Sequence, residues 1–241
     1  MASSKLKYKR ILLKLSGEAL AAEGQMGFDP ERLQAICQQI AALSNAGVEV
    51  ALVIGAGNFM RGAALAADGR FDRVDADHMG MLFTINNGIA LRSEFARLGT
   101  EVKFYSALAV TGIVSEYQHH KAIRALSTGK IVILGGGTGS PLFSTDSAAS
   151  LRAIEVGADI ILKASTVDGV YDCDPKQNPK AKRYTDIDFQ SVLDKQLRVM
   201  DLSAFCLCQE HNMPVRVFDL NEKDALMRIV KGEALGTLVS N

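Results

Sequence analysis

The chain has 241 residues, 48% of them hydrophobic, enough for one large core in a single domain or two lobes. Twenty-seven Lys and Arg residues balance 27 Asp and Glu residues, and no basic run of about five to eight residues occurs, so charge gives no pointer to nucleic acid. That balance suggests a small-molecule ligand met by charges placed locally.

The N-terminal stretch MASSKLKYKR is polar, and the apolar run after it is broken by Lys14, so neither a signal peptide nor a membrane span is expected. Residues 9–15, KRILLKL, read as a first strand, ended by Ser16-Gly17-Glu18. After a loop over 21–27, Asp29-Pro30-Glu31 supplies an N-cap, a proline at the first helical position and an acid in the first turn. Leu33, Ile36, Cys37, Ile40 and Leu43 mark the buried face of that helix, and Gly47 ends it. Residues 48–54, VEVALVI, form a second strand running into Gly55-Ala56-Gly57-Asn58, with Arg61 about one helical turn beyond. A polar loop over 68–76 precedes a long helix over 77–98, whose middle, Asn86-Asn87-Gly88, admits a kink.

Residues 102–105 read as a third strand, 116–126 as a helix and 130–134 as a fourth strand, apolar enough to be buried on both faces of a parallel sheet. Gly135, Gly136, Gly137 and Gly139 follow, then Ser144, Thr145, Asp146 and Ser147, then a helix over 148–156 stopped by Gly157. Residues 159–163 give a fifth strand. Asp168-Gly169, flanked by Val167 and by Val170-Tyr171, signals a hairpin, and Asp174-Pro175 and Asn178-Pro179 mark an irregular segment. Helices over 189–195, 203–211 and 225–230 and strands over 215–218 and 237–239 complete the chain.

This alternation gives an α/β fold with helices on both faces of a mainly parallel sheet. Ligands in such sheets bind beyond the carboxyl ends of the strands. Three glycine loops, at 16–17, 55–57 and 135–139, should therefore converge on one crevice. A strand, a glycine loop and a helix start together make a phosphate cradle, because glycine lets main-chain N–H groups approach an anion. The third loop is not a P-loop, and Leu142 stands where a dinucleotide fingerprint needs its third glycine.

Lys14, inside an apolar strand and beside a glycine turn, reads as a functional cation rather than an edge guard, and Arg61 and Lys163 read similarly. Asp146 and Asp201 stand at helix starts, where they could be caps alone. Three cations in one crevice suit phosphoryl transfer, where a protein mainly positions groups and neutralises charge. His78 reads as structural. Cys37, Cys173, Cys206 and Cys208 form no C-x-x-C and read as reduced thiols; Cys206, Cys208 and His211 would not share one helix face, so no metal cluster is expected.

The segments KLSGEAL (14–20), GAGNFMRG (55–62), DHMGM (77–81), GTGSPLFSTDSAA (137–149), LKASTVDGVYDCDP (162–175) and MDLSAF (200–205) span nearly the whole chain. In content and order they resemble the bacterial uridylate (UMP) kinases of the amino-acid kinase superfamily. The resemblance implies a three-layer sandwich in a single domain over 1–241, with an acceptor-nucleotide part over roughly 1–160 and an ATP part over roughly 161–241. It also implies ATP + UMP → ADP + UDP with Mg²⁺, a cytoplasmic homohexamer in pyrimidine nucleotide biosynthesis, activation by GTP and inhibition by UTP.

Carried over by motif, the ATP side is Lys14, Leu15, Ser16, Gly17, Gly57, Arg61, Ser165, Tyr171 and Asp174. The UMP side is Ala56, Asp77, Thr138, Gly139, Ser140, Pro141, Leu142, Phe143, Ser144 and Thr145. Lys14, Arg61, Asp146 and Asp201 are the residues expected to support chemistry, and Arg92, Lys103 and Lys130 fall in the GTP region. Ala56 replaces a usual glycine, Ser165 a usual Thr and Thr166 a frequent Lys; Ala96, Lys103 and Lys130 also differ from the family's basic and His residues. Other readings compatible with the pattern are a carboxylate kinase of the same superfamily and a non-catalytic nucleotide sensor. The missing third glycine disfavours a dehydrogenase.

Overall fold

The computed structural model describes residues 6–60, 69, 71–175, 177–197 and 199–241. Arg61 lies outside the described residues. The described strands are β1 (Arg10–Leu15), β2 (Glu49–Ile54), β3 (Val102–Ser106), β4 (Ser115–Glu116), β5 (Ile131–Gly135), β6 (Ile160–Ser165), β7 (Asp186–Asp188), β8 (Val215–Asp219) and β9 (Thr237–Ser240). They form one sheet in the order β4-β3-β5-β2-β1-β6-β8-β9-β7. Neighbours from β4 to β8 are parallel; β9 runs antiparallel to β8, and β7 pairs parallel with β9.

Strand alternation divides the core into two layers. Ile11, Leu13 and Leu15 of β1 pack on one face with α1 (Pro30–Asn45), α2 (Arg73–Arg97) and α7 (Ala225–Val230). Leu12 packs on the other with α3 (His119–Ser127), α4 (Thr145–Val156), α5 (Phe189–Asp194) and α6 (Leu202–Glu210). The result is the expected sandwich of helices, sheet and helices. No described helix is long and apolar enough to cross a membrane.

Local signals and tertiary contacts disagree at four places. First, α2 begins at Arg73, because the Asp72 side chain accepts from Val74 N (2.8 Å) and caps it there, so Asp77 lies inside the helix. Second, α2 runs unbroken through Asn86-Asn87-Gly88. Asn87 is fully buried, and a Cβ on Gly88 would lie 2.3 Å from Phe104 Cζ, so these weak helix formers are there for packing. Third, α4 begins at Thr145. Ser144 Oγ accepts from Asp146 N (2.9 Å), so the cap is Ser144 and the Asp146 carboxylate is left for other partners. Fourth, no hairpin forms at Asp168-Gly169. Val170 N donates to Thr237 Oγ1 (2.9 Å), and Tyr171 pairs with Arg183 instead, so long-range bonds override the turn dipeptide. The helix expected from 116 starts at His119, and the short strands β4 and β7 carried no sequence signal.

Gly88→Ala should therefore destabilise the chain. Overpacking against Phe104 costs about 1–3 kcal/mol, more than the gain in helix propensity of about 1 kcal/mol. A urea midpoint that falls at unchanged slope checks this; a raised midpoint contradicts the packing account.

Candidate active site

Lys14 and Lys163 sit side by side in the parallel β1/β6 register, so their side chains leave the same face of the sheet. Both reach the carboxylate of Asp146 in the first turn of α4. Lys14 Nζ lies 2.7 Å from Oδ1 and Lys163 Nζ 2.5 Å from Oδ2. All three are largely buried, Lys14 being 9% exposed. Burial alone would raise the Asp146 pKa, but the two ammonium groups outweigh it and hold the carboxyl below its ordinary 3.8. Burial pushes the Lys163 ammonium below its ordinary 10.5, and the like charge of Lys14 adds to this against the pull of Asp146. Within this cluster two cations face one anion.

Asp201 does cap α6, accepting from Ala204 N (2.9 Å), but it does more. It also accepts from Ser203 Oγ (3.0 Å), Ser147 Oγ (3.0 Å) and Ser144 Oγ, which ties the start of α6 to the start of α4. Its charge is felt at Lys163.

The glycine loops meet as the pattern predicted. A Cβ on Gly17 would lie 2.6 Å from Gly57 N and 2.7 Å from Gly55 O, so only glycine lets the first loop rest on the second. The Cβ position of Gly55 lies 3.3 Å from Thr145 Oγ1, at the start of the helix that follows the third loop. The Gly57 Cβ position faces the Glu18 side chain at 3.2 Å.

One pocket adjoins this junction, and a second opens at Ser165, the end of β6. One, of about 130 Å³, is lined by Ala56, Asp77, Gly137, Phe143, Ser144 and Thr145, together with Met60, Gly80, Met81 and Thr84. The last four were missed in the sequence, although Met81 and Thr84 follow Asp77 at helical spacing and belong to the same face. Asp77 pairs with Arg73 (2.9 Å) and accepts from Leu142 N (2.8 Å), so it anchors the loop over 138–142. That loop stands beside the pocket rather than in its wall. Thr138 Oγ1 donates to Ser140 O (3.0 Å) and accepts from Ser140 N (3.1 Å), Gly139 and Pro141 continue the turn, and Leu142 has φ 71°. The other pocket, of about 450 Å³, is lined by Ser165, Tyr171 and Asp174 with Val167, Leu197 and Val199. Tyr171 donates to Asp168 Oδ1 at 2.6 Å. No local signal marked Leu197 or Val199. Leu15 is fully buried, so it can offer a ligand only main-chain atoms. A further cavity of about 470 Å³, lined by Ser16 and sharing Ser165 with the second pocket, opens toward Arg32 and Gln39 of α1 and Asn221.

Arg92, Lys103 and Lys130 do not converge within the chain. Arg92 donates to Ile113 O (2.9 Å) and lies over the Phe104 ring, on the α2 face. Lys103 neighbours Phe104 in β3 and so points to the opposite face, and Lys130 pairs with Glu101. Cys206 is exposed and Cys208 buried, so those two thiols face apart, as the spacing predicted.

The model of the amino acid kinase family matches residues 9–219. Uridylate kinase of Legionella pneumophila (strain Paris) is 53% identical over 235 residues, covering 98% of this chain and 95% of that protein. Uridylate kinase of Alcanivorax borkumensis is 52% identical over 233 residues, covering 97% and 92% respectively. The crystal structure of UMP kinase from Bacillus anthracis superposes with a TM-score of 0.93 at 40% identity, covering 97% of this chain and 96% of that one. The matched span takes in every strand of the mouth, with its lysines and glycine loops, and the chain belongs to the amino acid kinase family, among its uridylate kinases.

Proposed function

We propose that the chain transfers the γ-phosphoryl group of ATP to UMP, giving ADP and UDP. The observation that carries this reading is the buried Lys14–Asp146–Lys163 cluster beside the meeting of the glycine loops, with one pocket against those loops and another opening at Ser165, two residues beyond Lys163. UMP takes the smaller pocket beside Ala56 and Asp77, and the ATP base takes the larger one beside Ser165, Tyr171 and Asp174. The phosphates then meet between the pockets.

The nucleophile is an oxygen of the UMP phosphate. Its second pKa is about 6, so it is largely dianionic at neutral pH and needs no general base. The obstacle is repulsion between two anions. Lys14 and Arg61 neutralise charge on the transferring group, while loop amides and the start of α4 orient the substrates in line. Asp146 abstracts no proton. It holds both lysines at fixed positions, and its own charge offsets only one of them. Magnesium ions take one or two carboxylates and otherwise phosphate oxygens and water. Asp201, whose partners are hydroxyls and an amide rather than a lysine, fits that role for Mg²⁺ carried with ATP, where the ion would offset phosphate charge.

The finer family traits belong to the same reading: a cytoplasmic homohexamer in pyrimidine nucleotide biosynthesis, activated by GTP and inhibited by UTP. UTP shares base and ribose with UMP and so competes for the smaller pocket. Arg92 is separated from Lys103 and Lys130 within one chain, so a GTP site built from all three needs neighbouring subunits.

Turnover of ATP with UMP, read as coupled ADP release, should exceed that with CMP or N-acetylglutamate; preference for the last would place the chain among carboxylate kinases. Lys14→Ala and Arg61→Ala should each leave a folded protein with turnover lowered about 100-fold or more, and near-normal rates in either would remove its role. GTP should raise and UTP lower the rate in the same assay, and no response to either refutes the regulatory part. Asp146→Asn leaves two buried like charges facing each other and should cost about 3–5 kcal/mol at neutral pH. Because the Asp146 carboxyl titrates below its unfolded value of 3.8, its stabilisation is complete above that pH and is lost as pH falls through the depressed native value. The urea-midpoint gap between wild type and Asp146→Asn should thus be flat above that range and close below it; a gap that widens on acidification contradicts the pairing.

A further inference from the structure

Helix α2 meets the mouth of the sheet through two short polar side chains. Thr84 and Asn87 lie three residues apart on one helix face and are 2% and 0% exposed. Thr84 Oγ1 accepts from Gly136 N (2.8 Å) and donates to Met81 O (2.7 Å). Asn87 Nδ2 donates to Gly55 O (2.7 Å) and to Asn58 Oδ1 (2.8 Å). Asn58, 1% exposed, donates back to Asn87 Oδ1 (3.0 Å) and to Gly27 O (2.9 Å). Both amide hydrogens of each asparagine are used. One helix therefore grips the loop after β2 and the loop after β5 together. Gly88 makes this reach available: Phe104 fills the place of its missing Cβ, so the helix lies close enough for side chains this short.

Buried polar groups cost free energy unless every bond is made, and an apolar contact of equal volume would hold a helix on a sheet as well. A fully bonded buried network instead selects one arrangement. Here it fixes two glycine loops relative to each other. The first carries Ala56, which lines the smaller pocket, and Gly57; the second carries Gly137, which lines the same pocket.

We propose that Thr84 and Asn87 are positioning residues for phosphoryl transfer, acting through the Gly136 amide and the Gly55 carbonyl to hold the two loops in the one relation that aligns donor and acceptor. This rests on the kinase reading above. Misplacing reacting groups by an ångström costs about 100-fold in rate. Loosening either tie therefore lowers kcat while substrate binding changes little. Thr84 lines the smaller pocket, but its hydroxyl is engaged by Gly136 and Met81.

The test compares full-length wild type, Thr84→Val and Asn87→Ala, each assayed well below its melting midpoint. The kcat for ADP release with UMP should fall about tenfold or more in Asn87→Ala and about threefold or more in Thr84→Val, with KM for both nucleotides within about threefold of wild type. Amide hydrogen exchange at 55–58 and 135–137 should quicken about tenfold in both variants. A purely structural contact would lower the melting midpoint and leave kcat of the folded protein unchanged. Smaller kcat losses in either folded variant, losses carried by KM, or unchanged exchange overturn the proposal. Should Asn87→Ala fail to fold, Thr84→Val decides alone, since it preserves side-chain volume. Wild type that releases no ADP in response to UMP refutes the kinase reading instead, and the exchange measurement still decides whether the loops are tied.

Discussion

Two lysines on neighbouring strands converge on one buried aspartate, and the rest of the mouth is arranged around that meeting. The parallel β1/β6 register puts Lys14 and Lys163 at the same height and on the same face. The cap at Ser144 starts α4 early enough that Asp146 lies in its first turn, within reach of both. Placed alone, any of these charges would be expensive to bury; together they offset one another's burial cost, and Asp201 adds a further negative charge that reaches Lys163.

Two hydrogen-bonded systems frame that cluster from opposite sides of the sheet. On one, Asp201 gathers the hydroxyls of Ser144, Ser147 and Ser203 and locks the start of α4 to the start of α6. On the other, Thr84 and Asn87 hold the glycine loops to α2. The loops themselves carry little side-chain bulk, which lets them approach each other and also leaves them few side chains of their own to stiffen them. Rigidity has to come from neighbours, and short buried polar side chains supply it with directional bonds that apolar packing lacks.

The two pockets differ in character. The smaller one is walled by apolar Met60, Met81 and Phe143 together with Gly137 and the start of α4, whereas the larger one is walled in part by apolar Val167, Leu197 and Val199 and in part by the Tyr171–Asp174 segment. Under the proposed reading a flat base takes the second and the phosphates face the glycine amides.

Much was legible in the sequence because it is local. Apolar β-branched runs, glycine breaks and the Asp29-Pro30 helix start marked the helices and every strand except the short β4 and β7, and their alternation pointed to a mainly parallel sheet with its ligand edge. Lys14 and the glycine loops stood out because charge and glycine are out of place in such surroundings. The tertiary structure alone decided which groups touch. Nothing in the pattern around Asp146 shows two lysines from strands well over a hundred residues apart in one case, because strand register is a long-range property. The Asn86-Asn87-Gly88 stretch looked like a weakness by propensity and is a packed, hydrogen-bonded contact, since burial against Phe104 and the glycine loops outweighs the local preference. The Asp168-Gly169 turn failed for the same reason, as Val170 found a better partner in Thr237 on a distant strand.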